Sequence, residues 1–156
     1  MKVRAQRGYT YIGLLILVAV TATLSAGLLR IGTVVQRHGA EEALLEAGSD
    51  LAKALHNYAL ATPPGKNPRP QRMEDLLRDP RFTKITVRHL RRVPLDPITG
   101  EERWGELLSE SESGIDAFYS LSDLQPVRTT LQGKYAGFAR KRHYREWLFD
   151  ESLAQP

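Results

Sequence analysis

The side chains best suited to proton transfer or metal binding are His38, His56, His89 and His143, and they are scattered through the chain. No His-Glu-x-x-His pair sets two imidazoles one helical turn apart, the spacing a zinc site would use. Ser109, Ser111 and Ser113 lie in a charged stretch that has no nucleophile-elbow pattern, and no glycine-rich loop could cradle a phosphate. Cysteine is absent, which excludes thiolate chemistry and a disulfide framework. No constellation meets the first criteria for a catalytic site, so the chain is expected not to be an enzyme and to carry no cofactor. Asp116 and Asp123 are the acids that could offer oxygens to calcium, but a hard cation wants about six to eight of them and no clear ligand set emerges.

Charge narrows the partners. Two basic clusters stand out, Arg88-His89-Leu90-Arg91-Arg92 and Arg140-Lys141-Arg142-His143-Tyr144-Arg145, and the second interleaves cations with Tyr144 and Trp147 as single-strand binders can. The formal charge of +4 is concentrated at the start, however. Without Lys2, Arg4 and Arg7 the 22 basic residues fall to 19 against 18 acids, and without Arg30 the balance is zero. A neutral domain has little long-range pull on a polyanion, so these clusters read as solvated faces that pair with Glu101, Glu102, Glu106, Glu110 and Glu112 of the same or an adjacent copy.

The element around which everything else is placed is an apolar run. Residues 9–29 hold 21 positions without a formal charge, among them Ile12, Leu14, Leu15, Ile16, Leu17, Val18, Val20, Leu24, Leu28 and Leu29. As a helix they cover about 32 Å, the hydrocarbon thickness of a bilayer. Those ten residues supply roughly −3 to −6 kcal/mol of insertion free energy. With Lys2, Arg4 and Arg7 ahead of the run and no acid among them, the positive-inside rule keeps the first eight residues in the cytoplasm and sends the rest across. A cleavable secretory signal fits less well, because its apolar core is usually about 7 to 15 residues and stops at a small-x-small site, whereas here the run passes through Ser25, Ala26 and Gly27 into Leu28 and Leu29.

The junction Arg7-Gly8-Tyr9-Thr10-Tyr11-Ile12-Gly13-Leu14 resembles the class III leader of type IV pilins and of the pseudopilins of type II secretion. The resemblance implies that a prepilin peptidase cuts after Gly8 and methylates the new amino terminus at Tyr9. Glycine before the cut suits close approach of a protease to the backbone. The family usually carries Glu at the fifth mature position, where this chain has Gly13. That carboxylate is thought to meet the amino terminus of a neighbouring subunit inside the fibre, a pairing that an apolar bundle rewards because a lone charge there is expensive. Its replacement leaves the choice between a major and a minor or tip subunit open.

Beyond Arg30 the helical pattern continues. Leu44, Ala47, Leu51, Ala54 or Leu55, and Tyr58 recur at three- and four-residue spacing, with Glu42, Glu46, Asp50 and Lys53 largely off that face. One helix is expected over 9–61, ended by Thr62-Pro63-Pro64-Gly65 because proline cannot continue it. Its apolar stripe needs a cover, and residues 62–156 are the candidate. A Pro-rich connector leads to a short helix over 71–79. A β-like section begins at Phe82, Ile85 and Val87, followed by turns at Asp96-Pro97 and Thr99-Gly100. Segments 103–108 and 115–121 form an expected antiparallel pair, with Ile115, Ala117, Tyr119 and Leu121 facing the helix. The aromatic stretch 143–149 suits a last strand, with helix the alternative.

The fold class expected is therefore α+β, a long N-terminal helix with a membrane half and an amphipathic half packed on a small antiparallel sheet. Its parts are a leader over 1–8, a membrane half over 9–29, an amphipathic half over 30–61 and a head over 62–156. The series Met73-Glu74-Asp75-Leu76-Leu77, Arg91-Arg92-Val93-Pro94-Leu95-Asp96-Pro97-Ile98-Thr99-Gly100, Trp104-Gly105 and Tyr119-Ser120-Leu121-Ser122 is similar to the domain of pseudopilins close to the major subunit of type II secretion. Read from the residues alone, Asp96-Pro97 and Thr99-Gly100 are a turn and Trp104 an apolar anchor. Major pseudopilins commonly hold calcium in a Gly- and Asp-rich loop; Ser122-Asp123-Leu124-Gln125-Pro126-Val127 stands in the comparable place here without the dense acids. The resemblance implies a structural subunit in the inner membrane, single-pass with its C-terminal domain in the periplasm. Its partners would be other pseudopilin subunits, the prepilin peptidase, the inner-membrane assembly platform and the lipid bilayer. The alternative class is a minor type IV or competence pilin that binds DNA or a surface.

Overall fold

A computed structural model describes residues 9–110 and 114–154, with the side chains of 9, 10 and 22–35 outside the description. Helix α1 (Tyr9–Leu60, 52 residues) ends one residue before the expected stop, where Ala61 and Thr62 close the last turn onto Asn57 and Ala59 and Pro63 follows. The described residues divide into two units between Arg37 and His38.

In the first unit the side chains from Tyr11 to Val20 are open, the large apolar ones between 48% and 66% exposed. Thr21 returns its hydroxyl to the helix, donating to the carbonyls of Leu17 and Val18 at 3.0 Å each. Among the described residues no helix is long and apolar enough to cross a membrane. The later part of the expected span, residues 22–29, has its side chains outside that set.

The second unit is α+β. Helix α2 (Glu74–Leu77) is followed by strands β1 (Gly105–Leu108), β2 (Ile115–Tyr119) and β3 (Phe149–Asp150), which form one antiparallel sheet in the order β1-β2-β3. Short 3-10 turns at Gly133–Phe138, Tyr144–Glu146 and Glu151–Ala154 complete it. The apolar stripe of α1 is where the spacing puts it: Leu44, Leu51, Ala54, Leu55 and Tyr58 are buried and Ala47 is partly so, in one core with Leu76, Trp104, Ile115, Phe118, Trp147 and Phe149. Each large apolar side chain buried this way contributes about 1.5–3 kcal/mol. At Gly48 the sheet comes so close that a Cβ would lie 2.2 Å from the Phe149 ring, which is why that turn of the helix carries no side chain.

Three expectations change. Residues 82–87 form no strand: Val87 gives its carbonyl to the Asp79 amide and Ile85 is exposed, so this segment serves α2 and not the sheet. The face of β2 also differs, because an irregularity between Leu107 and Leu108 shifts the register. Phe118 enters the core with Ile115 and Ala117, while Tyr119 is half-buried and Leu121 is 38% exposed. The expected last strand is only the two residues of β3, the rest of 143–149 being occupied by the Tyr144–Glu146 turn.

Candidate functional site

The peptide bond expected to be cut follows Gly8, which lies outside the described residues; Tyr9 opens α1 with its side chain outside them as well. Gly13 faces open space. Two clusters of buried polar groups stand out in the second unit.

The first is a cluster that joins the end of α1 to the segment after α2. Pro80 ends the α2 region and turns Asp79 inward, where its side chain is 0% exposed. Arg81 Nε bonds both Asp79 oxygens at 2.8 and 3.1 Å, and its Nη2 reaches Asp79 Oδ2 at 2.6 Å. The same guanidinium donates to the Tyr58 carbonyl, Thr62 Oγ1 and the Asn67 carbonyl, and lies 3.5 Å from the Tyr58 ring centroid. His89 Nε2 stands 3.0 Å from Asp79 Oδ2, and its ring meets Tyr58 edge-on. Burial pushes the Asp79 carboxyl up, but the bonds from Arg81 and His89 outweigh it and hold the group below its ordinary value. Burial is also the main reason the Tyr58 phenol is raised, against the pull of Arg81. An acid, an imidazole and a guanidinium in contact could in principle move a proton. Here both carboxylate oxygens are occupied and the three groups are almost closed to solvent, so the arrangement clasps the chain and presents nothing to a substrate.

The second place is Glu41, buried on the core side of α1. Its carboxylate accepts the amides of Val127 and Arg128 and the hydroxyl of Tyr144, the last at 2.8 Å, with Arg128 Nε and His38 Nδ1 at 3.8 and 3.9 Å. This latch fixes the loop that was compared with a calcium-binding one. The two acids weighed as calcium ligands are engaged elsewhere: Asp116 with Arg69, and Asp123 with Arg145 at 2.7 Å. Among the described residues no group of three or more His, Cys, Asp or Glu could hold a metal ion.

The turn at Asp96 is as expected and more heavily tied. Asp96 pairs with Glu101, its Oδ1 accepts the Ile98 amide at 2.9 Å, its Oδ2 accepts the Ser120 hydroxyl at 2.7 Å, and Gly100 takes φ +74, which glycine adopts without strain. Trp104 anchors the following strand, donating Nε1–H to the Pro94 carbonyl at 2.8 Å and meeting Phe149 edge-on.

The basic clusters separate. In the second, Tyr144 and Trp147 are 2% and 0% exposed, the indole stacked on Phe138 at 5.3 Å, so neither offers a platform for a base. His143 Nδ1–H donates to the Asp123 carbonyl at 2.6 Å, and His89 belongs to the clasp. Of the acids proposed as partners, Glu101 pairs with Arg103 and Glu106 accepts the Met73 amide. The Glu106 carboxyl is raised, by burial first and then by the charge of Glu74.

No protein-family model, curated protein or solved structure matches the chain. The clasp and the latch were not singled out from the sequence. For Glu41 a signal existed, since it stands three residues before Leu44 on the same helical stripe. For Asp79 the signal was weaker: an acid beside the proline that stops a helix.

Proposed function

We propose that the chain is a structural subunit, major or minor, of a type II secretion pseudopilus, anchored in the inner membrane and assembled into a periplasmic fibre that supports protein export. The observation that carries this reading is the division of labour along α1. Its start exposes apolar side chains on every side, and its later stripe is buried under a three-stranded antiparallel sheet. A helix apolar all round has to find lipid or other helices, and one whose hydroxyl is satisfied internally loses nothing there. Lipid serves the waiting subunit and neighbouring copies serve the fibre, with Gly13 and Ala19 allowing close approach. Work is done by placement, with no bond made or broken beyond maturation, a reading supported by the enclosure of Asp79, His89 and Glu41 in the clasp and the latch.

The test is the mature amino terminus. Co-expression with a cognate prepilin peptidase is expected to give a chain that begins at methylated Tyr9, read by mass spectrometry, and Gly8→Arg is expected to abolish the cut. An intact leader in both proteins, or a cut near Ala26, would overturn the fibre reading.

A further inference from the structure

A cleft of about 470 Å³ opens between the outward face of α1 and the segment that follows the clasp, lined by Asp50, Lys53 and Asn57 on one side and by residues 89–92, Pro94 and Leu95 on the other. We propose that it is a docking site for an acidic, partly apolar peptide segment of a partner protein. Charge is the first reason. Lys53, Arg91 and Arg92 face a single acid, Asp50, which is already 3.2 Å from Lys53. Among the described residues neither Arg91 nor Arg92 has an ion-pair partner, although both lie at the surface.

Rigidity is the second reason. Leu90 and Val93, on either side of the two arginines, pack against the core. The amides of His89 and Leu90 both donate to the Leu76 carbonyl at 2.9 Å, and the Pro94 carbonyl is held by Trp104 at 2.8 Å. The arginines are therefore presented by a segment tied at both ends, and a ligand has little backbone to order when it arrives. The ligand class follows from the lining. Guanidinium forks match carboxylates two bonds at a time. Leu95, 52% exposed, and Pro94 add apolar wall, which a peptide uses and a phosphate chain does not. Among the described residues no Phe, Tyr or Trp lines the cleft, so nucleic-acid bases find no aromatic platform there.

The test uses the full chain in an uncharged detergent and a fluorescein-labelled peptide of alternating glutamate and leucine. Anisotropy is expected to show saturable binding that weakens with salt. Arg91→Ala with Arg92→Ala should weaken it about tenfold, as the loss of two exposed charge contacts predicts. Arg140→Ala with Arg142→Ala should leave it unchanged, and thermal melts establish that each variant is folded. The proposal is overturned by absence of saturable binding, or by equal binding to the folded Arg91/Arg92 variant. It is also overturned if oligothymidine binds more tightly through the same arginines, or if sedimentation shows a dimer that Arg91→Ala with Arg92→Ala dissociates. Either maturation result at Gly8 leaves this outcome readable, because the peptide assay does not depend on the fibre.

Discussion

Asp79 is charged, closed to solvent and held from two sides, which makes its partners more important than any contact of its own. Arg81→Ala removes the guanidinium but leaves the carboxylate buried, and is expected to lower stability by about 3–5 kcal/mol in chemical denaturation. The pH dependence has a defined sign. The folded-state value of Asp79 is below its ordinary 3.8, so its contribution is fully present above 3.8 and is lost as pH falls through the lower folded value. Denaturation midpoints taken across the acid range should therefore fall more steeply for the natural protein than for Asp79→Asn. Glu41 makes a second residue-scale case. Glu41→Ala strips the acceptor from two amides and a buried hydroxyl, and a loss of about 1–3 kcal/mol is expected, with faster hydrogen exchange at Val127 and Arg128. Because that carboxylate holds the loop, a chelator should leave the melting temperature of the natural protein where it was.

Among the elements, the later part of α1 was legible from its 3.6-residue stripe and the stop at Pro63. The β1–β2 pairing was legible from two apolar segments flanking the polar 109–114 loop, although a period of 2 misassigned the inward face of β2. What escaped reading depends on contacts distant in sequence. Residues 82–87 have strand-like composition, yet Val87 is claimed by Asp79. The two-residue β3 is cut short by the Tyr144 turn that Glu41, over a hundred positions earlier, helps to hold. Likewise the clasp needs His89 beside Asp79, and ten residues of irregular chain gave no spacing from which to infer it. Propensity and packing oppose one another at Gly48. Alanine there gains about 1 kcal/mol of helix propensity. Its methyl would meet the Phe149 ring at 2.2 Å, and overpacking of that kind costs typically about 1–3 kcal/mol. Gly48→Ala is expected to be net destabilising in urea melts, with the natural sequence more stable at every pH.

For the whole molecule, the two units place opposite demands on their surroundings, one exposing apolar side chains and the other enclosing them. On the membrane reading, a charge in the middle of the open stretch should be poorly tolerated. Leu17→Arg is expected to cost about 2.5–3.5 kcal/mol of insertion and to shift the chain from the carbonate-resistant membrane fraction toward the extract. Leu124→Arg, at an exposed leucine of the second unit, should not. The placement of the two tryptophans adds a practical consequence. Trp104 and Trp147 both lie in the second unit, each against an aromatic ring and each shielded from water. Tryptophan emission thus reports only on the second unit, while the far-ultraviolet helical signal is drawn largely from α1, which begins before that unit, so the two optical signals weight different parts of the same chain.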